Sequence, residues 1–174
     1  GRMATGIFRP MRSQLRSELD NATRRLIDQA NEARANAHAP YSGFAVGAAV
    51  RSVDGQVYSG CNIEISSYSL TMCAERVALF AARAAAGGQE LEAIAVIGPG
   101  SDGIPTPPCG ACRQVIWDLA PNAAIYLATP DGRVERRASG DLLPDPFGPA
   151  QLSAQSESPG YEDPSEQKEE KETV

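Results

Sequence analysis

Three cysteines in two short stretches hold the chemistry this sequence could perform. Cys73 sits in Thr71-Met72-Cys73-Ala74-Glu75-Arg76, and Cys109 and Cys112 sit in Pro108-Cys109-Gly110-Ala111-Cys112-Arg113-Gln114. Thiolates are soft ligands that suit a tetrahedral zinc ion, and a C-x-x-C pair forms the local half of such a site. No fourth ligand is evident, because the chain holds a single histidine, His38, beside Pro40 at the end of a helical run. Three protein ligands and an open position describe a catalytic zinc rather than a structural one. Glu75, two residues past Cys73, places a carboxylate near that open position.

Each cysteine cluster stands where a loop gives way to a helix-like run, Val77-Ala78-Leu79-Phe80 in one case and Val115-Ile116-Trp117 in the other. Helix N-termini carry unsatisfied N–H groups and partial positive charge, which favour thiolate over thiol. Arg76 and Arg113 follow directly on the two motifs and are expected to donate hydrogen bonds to the sulfurs, tuning the metal from outside its ligand set. Zinc generates hydroxide from water near neutral pH, and a non-ligand carboxylate at Glu75 would carry the proton. The combination of C-A-E with P-C-x-x-C is that of the zinc deaminases of nucleobases.

With these motifs the chain resembles the small homotetrameric cytidine deaminases of pyrimidine salvage, from roughly Leu15 to Pro149. The resemblance rests on A-P-Y-S-G-F-A-V-G-A-A-V (Ala39 to Val50), G-C-N-I-E (Gly60 to Glu64), C-A-E-R, P-C-G-A-C-R-Q and Leu142-Leu143-Pro144-Asp145-Pro146-Phe147. It implies one zinc ion per chain, Glu75 as the acid–base residue, and Ala74 framing the base. It also implies Phe44 packed against the ring of the substrate, with Asn62 and Glu64 on ribose hydroxyls. Tyr68 matches a tyrosine that reaches across a subunit interface. Phe147 matches an aromatic that closes a neighbouring subunit's site; the alternative is a phenylalanine filling its own core. One departure stands out: the family usually has Asn where this chain has Ile65, and an apolar side chain cannot replace the lost amide hydrogen bonds.

Composition limits the alternatives. A chain of 174 residues, 42% hydrophobic, can bury the core of one domain. No run of about 18 apolar residues suggests a membrane span, and no apolar stretch near the start resembles a secretory signal. Cysteines at metal spacing fit a reducing, cytoplasmic setting better than a disulfide framework. The net charge of −6 belongs mostly to residues 151–174, which carry a net −5, leaving −1 for the remainder. Neither part has the basic balance of a nucleic-acid binder, so the expected substrate is a small nucleoside and not a polymer.

The elements that must position these residues follow from periodicity. Leu15, Leu19, Ala22, Leu26, Ile27 and Ala30 recur at helical spacing over 13–36. Phe44–Arg51 and Val57–Ile63 alternate around the hairpin signal Asp54-Gly55. A helix from near Met72 to Ala86 stops at Gly87-Gly88. Leu91–Ile97 reads as a strand buried on both faces. A Pro-rich loop over 98–108 delivers the second cysteine pair, and a helix over Gln114–Leu119 follows. Strands are expected at Ala124–Ala128 and Val134–Arg137. This order predicts a three-layer α-β-α sandwich with a mixed sheet, five-stranded if the resemblance holds. The expected organisation is a flexible arm over 1–13, a catalytic domain over 14–149 and a disordered acidic tail over 150–174.

Functionally, the expectation is hydrolytic deamination of cytidine and 2′-deoxycytidine, with release of ammonia. A close alternative is a deaminase of a blasticidin-type antibiotic, against which Glu64 argues. Two others lie further off: a structural zinc module completed by Cys61, and a thiol redox protein using Cys109 and Cys112. Strand alternation turns Cys61 away from the face that carries Asn62.

Overall fold

A helix laid against a sheet needs small residues where the two backbones approach, and this chain supplies them on both faces of one sheet. The computed structural model describes residues 13–156. The sheet has six strands, in the order β1-β6-β5-β4-β2-β3: β1 (Ser13–Leu15), β2 (Gly47–Ser52), β3 (Val57–Cys61), β4 (Leu91–Ile97), β5 (Ala124–Ala128) and β6 (Arg133–Arg137). Only β4 and β5 run parallel; the other pairs are antiparallel, so the sheet is mixed as expected.

Helix α1 (Asn21–Arg34) covers one face through Leu26, Ile27 and Ala30, against Ala49, Ala93, Ala95, Ile97, Ala128 and Val134. Helices α2 (Ala74–Ala86), α3 (Gly110–Leu119) and α4 (Ser139–Leu142) cover the other. Their core joins Ala78, Leu79, Ile116 and Leu142 to Val50, Ile94, Val96, Ile125 and Leu127. Strand β4 sends Ala93 and Ala95 to one core and Ile94 and Val96 to the other, as its unbroken apolar run predicts. Three layers result.

Two glycines set the closeness of the layers. A Cβ on Gly47 would lie 1.9 Å from the carbonyl oxygen of Ala30, so α1 rests directly on the β2 backbone. On the opposite face a Cβ on Gly60 would lie 2.6 Å from the Ala78 nitrogen and 2.9 Å from the Ala74 oxygen. The first turn of α2, which follows Cys73, is therefore seated against β3.

The structure corrects several boundaries. The sheet has six strands, not five, because 13–15 is an edge strand paired to β6 rather than the start of a helix. Asp20 decides where α1 begins: it accepts from the Thr23 amide (2.9 Å) and the Thr23 hydroxyl (2.7 Å), an N-cap that overrides the periodicity upstream. Helix α3 begins at Gly110 and not at Gln114, which puts Cys112 inside its first turn. Cys109 is the N-cap, and after Pro108 nothing in the sequence interrupts the helix.

Residues from Asp145 onward form a second unit, separate from the unit ending at Pro144. It contains α5 (Pro149–Ser156), opened by a proline at the first helical position and by the Gly148 amide bonded to the Gln151 side chain at 2.8 Å. The tail expected from residue 150 thus begins as helix. Its remainder, 157–174, and the arm over 1–12 lie outside the described residues. Among the described residues no helix is long and apolar enough to cross a membrane.

The seat at Gly60 is testable. Gly60→Ala should force α2 away from β3 and lower unfolding free energy by about 1–3 kcal/mol, the usual cost of overpacking. Chemical denaturation checks this, and an unchanged midpoint would show that α2 can shift freely.

Candidate metal centre and adjoining cleft

Cys73 and Cys109 are the N-cap residues of α2 and α3, each with an extended backbone and no side-chain capping hydrogen bond. Cys112 lies in the first turn of α3, three residues after Cys109, and so on the same helix face. Because α2 and α3 cover the same face of the sheet, their N-termini bring three sulfurs together. All lie within 4.8 Å of one another, and Cys73 and Cys109 are 3.8 Å apart. Zinc–sulfur bonds of about 2.3 Å at tetrahedral angles place sulfurs about 3.8 Å apart, so the donor set fits zinc. Cys112 is buried, Cys73 half-buried and Cys109 exposed, which leaves the cluster approachable from one side.

Electrostatics favours anions here. Hydrogen bonding from Cys112, and then from Arg76 and Cys109, lowers Cys73 from its usual thiol range to about 5. Cys112 moves the other way, because the Cys73 thiolate takes its hydrogen bond and burial penalises a second charge. The Arg76 guanidinium stands 3.7 Å from the Cys73 sulfur. Arg113 departs from expectation: its Nε donates to the Pro108 carbonyl (2.8 Å) and its Nη1 to the Leu142 carbonyl (3.0 Å). Proline-rich backbone has few internal donors, and Arg113 supplies two to the carbonyls that flank the metal loop and end α4.

Glu75 lies in the first turn of α2 and is only 4% exposed. Burial raises its carboxyl pKa and the Cys73 thiolate raises it further, while hydrogen bonds from its own backbone amide and then from Cys112 partly offset both. A carboxyl so placed binds a proton more readily than one in water. Ala74, immediately before it, is completely buried. Cys61 is not in the sulfur group; its thiol bonds the Asn36 carbonyl (3.3 Å) at the end of α1, on the other face of the sheet.

The remaining residues assigned by resemblance converge through backbone pairing. Met72 and Ile63 exchange two backbone hydrogen bonds, and Glu64 donates its amide to the His38 carbonyl. The segment carrying Asn62 and Glu64 is thereby fixed beside the residue that precedes Cys73. Asn62 donates to the Phe44 carbonyl (2.8 Å) and accepts from the Val46 amide (2.8 Å), extending the sheet edge with its side chain. Glu64 accepts from the amides of Tyr41 (2.9 Å) and Ser42 (3.2 Å) and from the Ser42 hydroxyl. Tyr41, Ser42, Glu64, Tyr68 and Thr71 line a cleft of about 370 Å³.

Tyr68 meets Tyr41 edge-on at 5.5 Å and is otherwise exposed. Phe44 and Ile65 are exposed, the latter with its amide on the Thr71 hydroxyl. Phe147 is exposed and belongs to the second unit. Ser42 and Thr71 had been given no part by sequence reasoning. A hydroxyl residue ahead of a turn glycine is the signal that could have singled out Ser42.

Comparison with known proteins places this geometry. The family model "Cytidine and deoxycytidylate deaminase zinc-binding region" matches residues 20–128. A cytidine deaminase of Sporosarcina psychrophila is 43% identical over 134 residues, 76% of this chain and 96% of that protein. The crystal structure of cytidine deaminase from Burkholderia pseudomallei superposes with a TM-score of 0.66 at 50% identity, covering 71% of this chain and 97% of the other. That of the Mycobacterium tuberculosis enzyme gives 0.62 at 42% identity, with 74% and 99% covered.

A titration tests the sulfur electrostatics. In metal-stripped protein, one thiolate ultraviolet band should persist through neutral pH and vanish as pH falls through about 5, the lowered Cys73 value. Because the native value lies below the ordinary thiol range, the stabilisation from this group is lost on acidification, not on alkalinisation. Cys73→Ser should abolish the band.

Proposed function

The chain belongs to the cytidine deaminase family, and from that membership we infer that it hydrolyses cytidine and 2′-deoxycytidine to uridine and 2′-deoxyuridine, releasing ammonia. The observation that carries the reading is the convergence of three sulfurs at zinc spacing beside a buried carboxyl. Cys73, Cys109 and Cys112 would hold the metal, which supplies Lewis acidity and so a water-derived nucleophile near neutral pH.

The protein's own groups do the rest. Glu75 takes a proton from the attacking water as it adds to C4 of the pyrimidine. It passes that proton to ring N3, then takes the second proton from the new C4 hydroxyl and passes it to the departing amine as the C4 carbonyl forms, so that water is consumed and ammonia leaves. Its raised proton affinity suits both directions of transfer. Arg76, bonded to the Cys73 sulfur, moderates the charge of the ligand set. Phe44 and Ala74 would border the base, and Asn62 and Glu64 the sugar.

Exposed apolar side chains cluster in the segments around the cleft, namely Tyr41, Phe44, Ile63, Ile65, Tyr68 and Leu70. They support an assembly in which other copies cover the site, a homotetramer in which Tyr68 and Phe147 act at interfaces. The free cysteines support a reducing, cytoplasmic setting.

Two experiments test these assignments. Glu75→Gln should keep its zinc and fold yet lose about 100- to 10,000-fold in turnover of cytidine, followed by its ultraviolet band. Substantial remaining turnover would remove Glu75 from the mechanism. Cys61→Ser should retain one zinc per chain by atomic absorption; loss of metal would reinstate a four-thiolate cage.

A further inference from the structure

One residue of the cleft makes three hydrogen bonds there yet has no part in the deaminase reading. Ser42 stands in the loop between α1 and β2, followed by Gly43 with φ of +66°, a left-handed conformation that glycine adopts without strain. The turn brings the Phe44 amide back to the Ser42 oxygen at 3.0 Å. An ionised carboxylate only accepts, so between Ser42 and Glu64 the hydroxyl must donate. Its lone pairs are then directed to the Phe44 amide. One hydroxyl therefore joins the backbone of the expected base-packing residue to the side chain of the expected sugar-binding one.

The hydrogen bonds of Glu64 sharpen the point. A carboxylate offers about four lone-pair sites. Tyr41 and Ser42 amides occupy Oε2, and the Ser42 hydroxyl takes one site on Oε1. One acceptor site on Oε1 remains for a ligand in the cleft. With its orientation fixed by three donors, that site need not be ordered when a hydroxyl arrives.

We propose that Ser42 is a positioning residue for sugar recognition, holding Glu64 so that its remaining acceptor site meets a hydroxyl of the bound nucleoside. The proposal rests on the cytosine-nucleoside reading of the site. Ser42 does not itself touch the reacting atoms, and its influence falls on affinity for the sugar rather than on the chemical step.

Calorimetric binding to the zinc-loaded full chain tests it, in a Glu75→Gln background where no turnover intervenes. The ligands are cytidine and 2′,3′-dideoxycytidine, which lacks both ring hydroxyls. Ser42→Ala should weaken cytidine binding about tenfold, within the range for a hydrogen bond to a charged group. Dideoxycytidine binding should stay within about twofold, and Ser42→Thr, which keeps the hydroxyl, should restore most of the cytidine affinity. Should Ser42→Ala fail to fold, Ser42→Gly at this exposed loop position carries the same comparison. Equal losses for both ligands would reduce Ser42 to a loop scaffold and overturn the proposal, as would unchanged cytidine binding or none at all. Turnover of cytidine by the chain with Glu75 intact is read separately. Its absence would overturn the deaminase assignment, while the binding ratios would still decide the role of Ser42.

Discussion

Three sulfurs lie within 4.8 Å of one another, and before any metal arrives the protein has to stabilise the negative charge of the first of them to ionise, Cys73. It does so with two helix N-termini and one guanidinium. Cys73 and Cys109 occupy N-cap positions, where a side chain that bonded its own helix would be turned away from the cluster; neither does so. The exposed N–H groups and partial positive charge of both helices remain available to the sulfurs, and Arg76 adds a full charge. Glu75 meets the opposite condition. It shares the same helix terminus but is buried beside a thiolate, so its proton is held more firmly.

That arrangement depends on how closely α2 can lie on the sheet. Gly60 admits the Ala74 carbonyl and the Ala78 amide at distances no side chain would allow. On the reverse face, Gly47 and the alanines of β2, β4 and β5 let α1 come equally near. Both contacts run through strands β2 and β3, so the hairpin is held between helices, and the cysteine at the head of α2 takes its position from this seat. Small residues here are a condition of the metal centre and not merely a mark of helix propensity.

The cleft is built by a different physical means. Its polar side chains are committed to backbone groups: Asn62 completes the hydrogen bonds of Phe44 and Val46, and Glu64 those of Tyr41 and Ser42. Such bonds fix the orientation of groups in an exposed loop, and through Val46 they tie it to the edge of the core. The exposed aromatic and aliphatic side chains nearby, Tyr41, Phe44, Ile63, Ile65, Tyr68 and Leu70, lie outside both buried cores.

Ligand chemistry was legible in the sequence, because the type and spacing of Cys73, Cys109 and Cys112 are local properties. So were the doubly buried β4 and the layered architecture, since hydrophobic period is set residue by residue. Periodicity failed at 13–20, where Asp20 and Thr23 form a cap and the preceding residues pair with β6 across a separation no local pattern records. It also placed the start of α3 too late, leaving Cys112 outside the helix that orients it. Only the tertiary structure decided what Arg113 bonds, where Cys61 points, and that Ser42 holds Glu64. Each depends on a partner distant in sequence, or on a backbone carbonyl, and a carbonyl carries no signature in the residue that bears it.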